Sequence, residues 1–141
     1  MTPLEALQQT LAGEHAAVYV FRALAGRVSA SAQPGLAGRL STAYTTHRGR
    51  RDQLTSMVRA AHGDPVAAEV SYDLPNPSRT TAQLSAGALV TEQRCAEVYA
   101  VMAGSTSRAS RQWAVDALSD SAVRALTFGG TPEEFPGVPE L

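Results

Sequence analysis

The sequence lacks lysine altogether: all 12 of its basic residues are arginines, and 13 acidic residues bring the net charge to -1. A nearly neutral chain offers no excess of positive charge to hold the phosphates of nucleic acid or the head groups of an anionic membrane. The composition therefore excludes polyanion binding driven by net charge. We expect neither nucleic acid nor a membrane as a partner.

Cysteine and long apolar runs are also scarce. Cys95 is the single cysteine, so the chain cannot form an internal disulfide or a zinc site of paired cysteines. A transmembrane helix needs about 20 apolar residues, whereas the most apolar run, 16–21, is stopped by Arg22. The N-terminal residues include Glu5 instead of the positive charge and apolar stretch of a signal peptide. These features predict a protein of the reducing cytoplasm.

Runs of β-branched residues, which are typical of strands, are missing, and alanine, the strongest helix former, occupies 25 positions. The pattern predicts an all-α protein with four helices. Their expected ranges are 3–28, 36–62, 79–104 and 107–128, bounded by proline, glycine or capping residues. Thr2 and Glu5 form a capping-box pattern at the first helix start. We assign residues 1–128 to one helical bundle and residues 129–141 to a tail rich in proline and glycine.

The connection between the second and third helices is unusually long. It covers about fifteen residues, 63–77, and contains Pro65, Pro75 and Pro77, whereas antiparallel neighbours are usually joined by about 2–8 residues. A helix of about 26 residues is about 39 Å long, and fifteen extended residues reach about 50 Å. The segment can therefore cross a whole bundle. One long crossover between helices 2 and 3 is typical of ferritin-like four-helix bundles, which is the fold we predict.

Ionisable residues interrupt the apolar stripes of the first three helices. Glu14 lies in the middle of the inward stripe of the first helix, and Glu92 has the same place on the third. The second helix has Tyr44, His47 and Arg51 on its inward face. Burying an unpaired charge costs several kcal/mol. These side chains must therefore satisfy one another or hold a ligand.

Other residues with chemical potential are assigned to the surface or the core. His15 lies beside the inward stripe, and His62 lies near a helix C-terminus, where a cation is favourable. Neither position indicates catalysis. Cys95 has only apolar or acidic neighbours on its stripe, and these do not lower a thiol pKa. We expect it to be an inert core residue, together with Tyr99 and Trp113.

Four short segments keep a definite order around the long connection: 14–19 (EHAAVY), 47–52 (HRGRRD), 72–75 (YDLP) and 92–99 (EQRCAEVY). Together they resemble a bacterial ferritin-like family of uncharacterised function, over nearly the whole chain. The resemblance implies a fold whose members often bind two iron or manganese ions. They use one Glu from each of two helices and Glu-x-x-His from each of the other two. Glu14 and Glu92 match the two single carboxylates.

The remaining ligand motifs of such a dinuclear site are incomplete in this chain. On the second helix the motif is Tyr44-x-x-His47, so a phenol replaces the bridging acid. On the fourth helix, Asp116 and Asp120 are not followed by histidine at the required spacing, and neither lies on the inward stripe. Of the ligands that the family motif requires, three remain: Glu14, His47 and Glu92.

We interpret the centre as a degenerate dinuclear site in which Arg51, alone or with Arg50, pairs with Glu14 and Glu92 and no cofactor is bound. The alternative is a mononuclear site in which the three remaining ligands hold iron or manganese near Tyr44, as in an oxidoreductase or metal-handling protein. A third alternative is an interaction module that forms a homodimer through an outer helical face. All three stay open at the level of the sequence, as does the question of whether the protein is an enzyme.

Overall fold

The computed structural model describes residues 1–138 and contains four α-helices. They are α1 (Pro3–Arg27), α2 (Pro34–Ala60), α3 (Thr81–Ser105) and α4 (Arg108–Thr127). No strand occurs within residues 1–138, so the all-α prediction is confirmed, and the predicted helix ends lie within two residues of those observed. Among the described residues, no helix combines the length and apolar character that a membrane span requires.

Local sequence signals determine where the helices begin. At the start of α1, the Thr2 amide donates a hydrogen bond to the Glu5 carboxylate at 2.7 Å, and the Glu5 amide donates one to the Thr2 hydroxyl at 3.2 Å. Thr80 and Gln83 form the same capping box at the start of α3. Pro34 lies in the first turn of α2, where a missing amide hydrogen leaves no bond unmade. These helices thus begin where a side chain accepts a hydrogen bond from a free amide of the first turn, or where proline has no amide hydrogen to bond.

Two apolar clusters form the core of the bundle. α1 packs against both α2 and α3, and α3 packs against α4. Phe21 and Leu40 belong to the larger cluster, and Leu11 and Leu54 belong to the smaller one. Along α1 and α2, the predicted polar positions fall between members of the two clusters. A layer of polar side chains therefore lies between the two apolar clusters.

Residues 61–80 connect α2 to α3 and contact α1 at several levels. The contacts follow α1 from its first turns to its last: Gln8 with Asp64 and Val66, His15 with Val66, Tyr19 with Tyr72, and Arg27 with Pro77. Three of these α1 residues bond to backbone groups of a segment that has no regular secondary structure to satisfy them. His15, which donates to the Val66 carbonyl oxygen at 3.0 Å, therefore supports this connection.

The chain continues past α4 along the surface formed by α3 and α4. The Gly130 amide donates to the Ala125 carbonyl oxygen at 3.0 Å, and Gly137 packs against the carbonyl oxygen of Ala96. The division at residue 129 into bundle and tail stays a prediction. The last three residues of the predicted tail, 139–141, lie outside the described part of the chain.

Candidate functional site

Glu14 of α1, His47 of α2 and Glu92 of α3 meet inside the bundle, and all three are fully buried. His47 lies between the two carboxylates: its Nδ1 is 2.7 Å from Glu14 Oε2, and its Nε2 is 3.0 Å from Glu92 Oε1. Phe21 stacks on the imidazole ring with a centroid separation of 5.1 Å. The three residues that the sequence singled out are thus brought together, whereas their role as metal ligands stays a prediction.

The protonation of His47 follows from its two partners. When both carboxyl groups are ionised they only accept hydrogen bonds, and a ring that bonds to both then donates from both nitrogens and carries a positive charge. Burial by itself lowers the pKa of His47, but the neighbouring Cys95 and Glu14 outweigh it and raise the pKa well above its usual value. An imidazolium at this position holds the carboxylates of α1 and α3 together.

Tyr99 and Arg50 extend the polar centre towards α4. The Tyr99 hydroxyl donates to Glu14 Oε1, and burial raises the pKa of Tyr99 well above its usual value, so the hydroxyl keeps its proton. Arg50 is only 8% exposed. It donates to the Tyr99 hydroxyl at 3.2 Å, to Ser121 Oγ at 3.0 Å and to the Asp120 carboxylate. Arg50 therefore links α2 to both α3 and α4.

Arg124 completes the set of charges on α4. Its Nη1 lies 2.6 Å from Asp120 Oδ2 and 3.8 Å from Glu92 Oε1. We call the following residues the central cluster: Glu14, His47, Arg50, Glu92, Tyr99, Asp120, Ser121 and Arg124. When His47 is protonated, the central cluster contains three carboxylates and three cationic side chains. The carboxylates are Glu14, Glu92 and Asp120, and the cations are His47, Arg50 and Arg124. The cluster is therefore formally neutral without any bound ion.

Arg51 lies outside the central cluster, so the prediction that it pairs with Glu14 and Glu92 is wrong. Its guanidinium bonds to Asp52 Oδ1 at 2.8 Å and 2.9 Å on the surface of α2. The adjacent Arg50 takes the inward position instead. Residues three and four apart both share a helical face, so from His47 the sequence allowed either arginine. Arg50 is the inward arginine because its guanidinium finds acceptors on Tyr99 of α3 and on Ser121 and Asp120 of α4.

Tyr44 does not join the central cluster either. Its ring is half-buried against the larger apolar cluster, and the Arg48 guanidinium lies 5.5 Å from the ring centroid. Within residues 1–138, its hydroxyl makes no hydrogen bond to the centre. The position that would carry the bridging acid of a dinuclear site therefore contributes neither charge nor hydroxyl.

α4 contributes more to the centre than the sequence predicted. Asp120 lies off the inward stripe, yet its carboxylate is bonded by both Arg50 and Arg124. Although partial burial opposes the shift, these two arginines lower the pKa of Asp120. One signal was present in the sequence, because Asp120 and Arg124 are spaced as a stabilising i,i+4 pair. A pair of this kind is usually solvent-exposed, however, and nothing local indicates that Arg50 reaches it from α2.

Three buried donor groups lie close enough together to hold a single ion. An oxygen of Glu14, a ring nitrogen of His47 and Cys95 Sγ are all within 4.8 Å of one another. Burial raises the pKa of the Cys95 thiol, although the neighbouring His47 opposes this rise. Within residues 1–138, Glu92 Oε2 has no hydrogen-bond partner. Cys95 belongs to the core, as predicted, and it also lies at the edge of the polar centre, while its inertness stays a prediction.

The donor set does not fit a dinuclear iron or manganese site. Such a site needs Glu-x-x-His on two helices, but α2 supplies His47 without the acid and α4 supplies Asp120 without the histidine. Asp120 is already bonded by two guanidinium groups. At Asp120 the positive charges of these two guanidinium groups repel a metal cation.

The chain matches the model of a protein family described as a domain of unknown function (DUF4439) over residues 6–140. Among solved structures it is similar to a conserved hypothetical protein, rv2844, from Mycobacterium tuberculosis. The two chains are 28% identical with a TM-score of 0.82, and the similarity covers 89% of this chain and 93% of the other. No curated protein matches the chain. Both matches extend across most of the bundle, and neither name states an activity.

Proposed function

Because the chain belongs to the DUF4439 family of domains of unknown function, we propose a function from the geometry of its centre. The protein is a ferritin-like four-helix bundle in which an ion-pair cluster takes the place of a dinuclear metal site. The cluster holds the four helices in register, and the bundle acts as a structural or interaction module without catalysis. The observation that carries this proposal is the position of Arg50, buried between α2, α3 and α4.

The directions of the helices support the ferritin-like connectivity. Gly13 of α1 lies against Val98 of α3, whereas Gly87 of α3 lies against Leu24 of α1, so α1 and α3 run antiparallel. α1 and α2 pack together across the short connection 28–33 and are antiparallel as well. α2 and α3 consequently point the same way, and the segment between them must return along the bundle. A single long crossover of this kind is typical of ferritin-like proteins.

The charge balance of the central cluster supports the structural role. Removing a charged group from water costs several kcal/mol unless a partner compensates it, and each carboxylate here has a cationic side chain within 4 Å. A buried ion-pair network adds little net stability compared with an apolar core, but it penalises any arrangement that separates the partners. In an alanine-rich bundle with few large side chains, such a penalty selects one packing of the helices.

Metal analysis tests this proposal. Purified protein should contain no stoichiometric iron or manganese, and its melting temperature should be the same with added Mn²⁺ and with a chelator. The His47 ring should give the nitrogen chemical shifts of an imidazolium at neutral pH. Retention of one or two metal equivalents, together with a Mn²⁺-dependent rise in melting temperature that Glu14→Gln abolishes, would contradict it.

A mononuclear metal site is a second candidate, favoured by the short distances among Glu14, His47 and Cys95. The sequence suggested Glu14, His47 and Glu92 as ligands for iron or manganese. Adding the thiolate of Cys95 to the donors shifts the preference to borderline cations such as Zn²⁺ or Co²⁺. The His47 nitrogen not used as a ligand would then donate to a carboxylate such as Glu92, a common arrangement around metal-bound histidine.

Cobalt titration distinguishes the second candidate from the first. If the mononuclear site forms, Co²⁺ should bind with one equivalent and give the intense absorption of a thiolate-to-cobalt charge transfer. Cys95→Ser should lose that absorption. The variant should keep the wild-type fold, because Cys95 takes part in none of the ion pairs of the central cluster. The absence of any charge-transfer band in folded wild-type protein would exclude this candidate.

A further inference from the structure

A cavity of about 1100 Å³ lies between α3, α4 and the chain that follows α4. Its outer wall is formed by residues 130–138, which we call the tail arch. Gly130 bonds to the end of α4, and Gly137 has a φ of 74° and leaves no room for a Cβ against α3. Pro132 and Pro136 restrict the backbone between these two attachment points. The arch thus contacts the bundle at both ends and covers an open cleft, whose volume is slightly above the range of about 300–1,000 Å³ that small-molecule sites occupy.

Exposed apolar side chains are concentrated at this cavity. Ten large hydrophobic residues of the described chain are exposed, and four of them line it: Val123, Leu126, Phe135 and Val138. Phe135 is 66% exposed and Val123 is 64% exposed. Single exposed apolar residues need no explanation, but several around one concavity indicate a surface that binds something apolar.

The charged residues of the cavity have one sign. Four glutamates line it, Glu92, Glu97, Glu133 and Glu134, and no arginine or histidine is among the lining residues. Glu92 is fully buried in the inner wall, and its Oε2 is the buried side-chain oxygen without a partner in residues 1–138. Arg124 lies outside the lining and approaches Oε1 of Glu92 at 3.8 Å, which leaves Oε2 free. A carboxylate oxygen buried without a donor favours a ligand that supplies one.

We propose that the cavity binds an organic ammonium ion with an apolar body. The positive charge of the ammonium group is complementary to the negative charge of the glutamates. The hydrocarbon part packs against Leu126 and the side of the tail arch that faces the cavity. An organic anion is disfavoured, because it would place a like charge beside several carboxylates in a partly desolvated cleft. This site is separate from the role proposed for the central cluster, which it adjoins through Glu92 and Ser121.

Two probes of equal length and opposite charge test the proposal. Octylammonium should bind the full chain with one equivalent by calorimetry, at least tenfold more tightly than octanoate. Its addition should shift the backbone NMR signals of Ala96, Ala122 and Val123 and leave those of the crossover unchanged. Equal binding of the two probes, or signal changes spread over the bundle, would overturn the proposal.

Variants of the tail arch complete the test without disturbing the bundle, because their side chains are exposed. The double variant Glu133→Gln, Glu134→Gln should weaken octylammonium binding by about tenfold, since only the charge is removed. Phe135→Ala should weaken both probes. Glu69→Gln removes an exposed carboxylate far from the cavity and serves as the matched control with unchanged affinity. If the double variant binds as tightly as the control, the site is refuted.

Discussion

Replacing Arg50 with methionine tests whether the central cluster holds the bundle together. The variant keeps a long side chain but removes the guanidinium that bonds Tyr99, Ser121 and Asp120. Breaking a buried ion pair costs about 3–5 kcal/mol. The Asp120 side chain is 46% exposed and keeps its bond to Arg124, so water and the second arginine compensate part of the loss. We therefore expect the lower end, a loss of about 3 kcal/mol in the free energy of unfolding.

Arg51→Met is the matched control, one residue further along the same helix. The Arg51 side chain is 29% exposed and pairs with Asp52 at the surface. Exposed pairs of this kind contribute about 0–1 kcal/mol. The two variants make the same chemical change in the same helix, so the difference between them isolates the effect of burial within the cluster.

Urea unfolding and thermal melts, both followed by circular dichroism, measure the two variants in the presence of a chelator, so that metal cannot contribute. For a domain of this size, about 3 kcal/mol corresponds to a fall of about 10 °C in melting temperature. Arg50→Met should show this fall and Arg51→Met should stay within about 3 °C of the wild type. Equal stability of the two variants would refute the structural role of the central cluster.

Three further predictions concern single groups. Because the pKa of His47 is raised in the folded state, its contribution to stability is complete below its unfolded pKa of about 6.5 and is lost as the pH rises through the folded pKa. The free energy of unfolding, measured by urea denaturation from pH 6 to 10, should therefore fall with rising pH in the wild type but not in His47→Gln. The same dependence on pH in both proteins would contradict this. Tyr99→Phe leaves a buried oxygen of Glu14 without its donor and should cost about 1–3 kcal/mol in the free energy of unfolding, whereas an unchanged urea midpoint would contradict the bond. Gln8→Ala removes the two hydrogen bonds to Asp64 and Val66 and should speed proteolysis within residues 64–70. An unchanged rate of proteolysis would show that these two bonds do not hold the connection.

The homodimer suggested by the sequence also stays a prediction. Sedimentation of the purified protein over a range of concentrations checks it directly. A species of twice the chain mass would support an outer helical face as an interface, whereas a monomer at all concentrations would exclude stable self-association. Alanine-rich helical surfaces allow close approach of two copies.

The helices and the level of the polar centre could be predicted from the sequence because they depend on neighbours in the chain. The capping box of Thr2 and Glu5 needs residues three apart, and an amphipathic stripe needs only a repeat of three and four. Glu14, His47 and Glu92 interrupt such stripes at mid-helix. Their burial followed from those positions, since the middle of an inward stripe lies inside any bundle that the helices form.

The partners of these residues were decided by the tertiary structure. From His47, the inward face of α2 continues equally well at Arg50 or Arg51, because 3.6 residues per turn lies between the two spacings. Only the position of Tyr99 and Ser121 on the neighbouring helices gives Arg50 acceptors and leaves Arg51 at the surface. Asp120 entered the cluster for the same reason, since a long arginine side chain from α2 reaches its carboxylate. Contacts of this kind join residues about 50 to 70 positions apart, and the local pattern carries no information about how neighbouring helices are rotated.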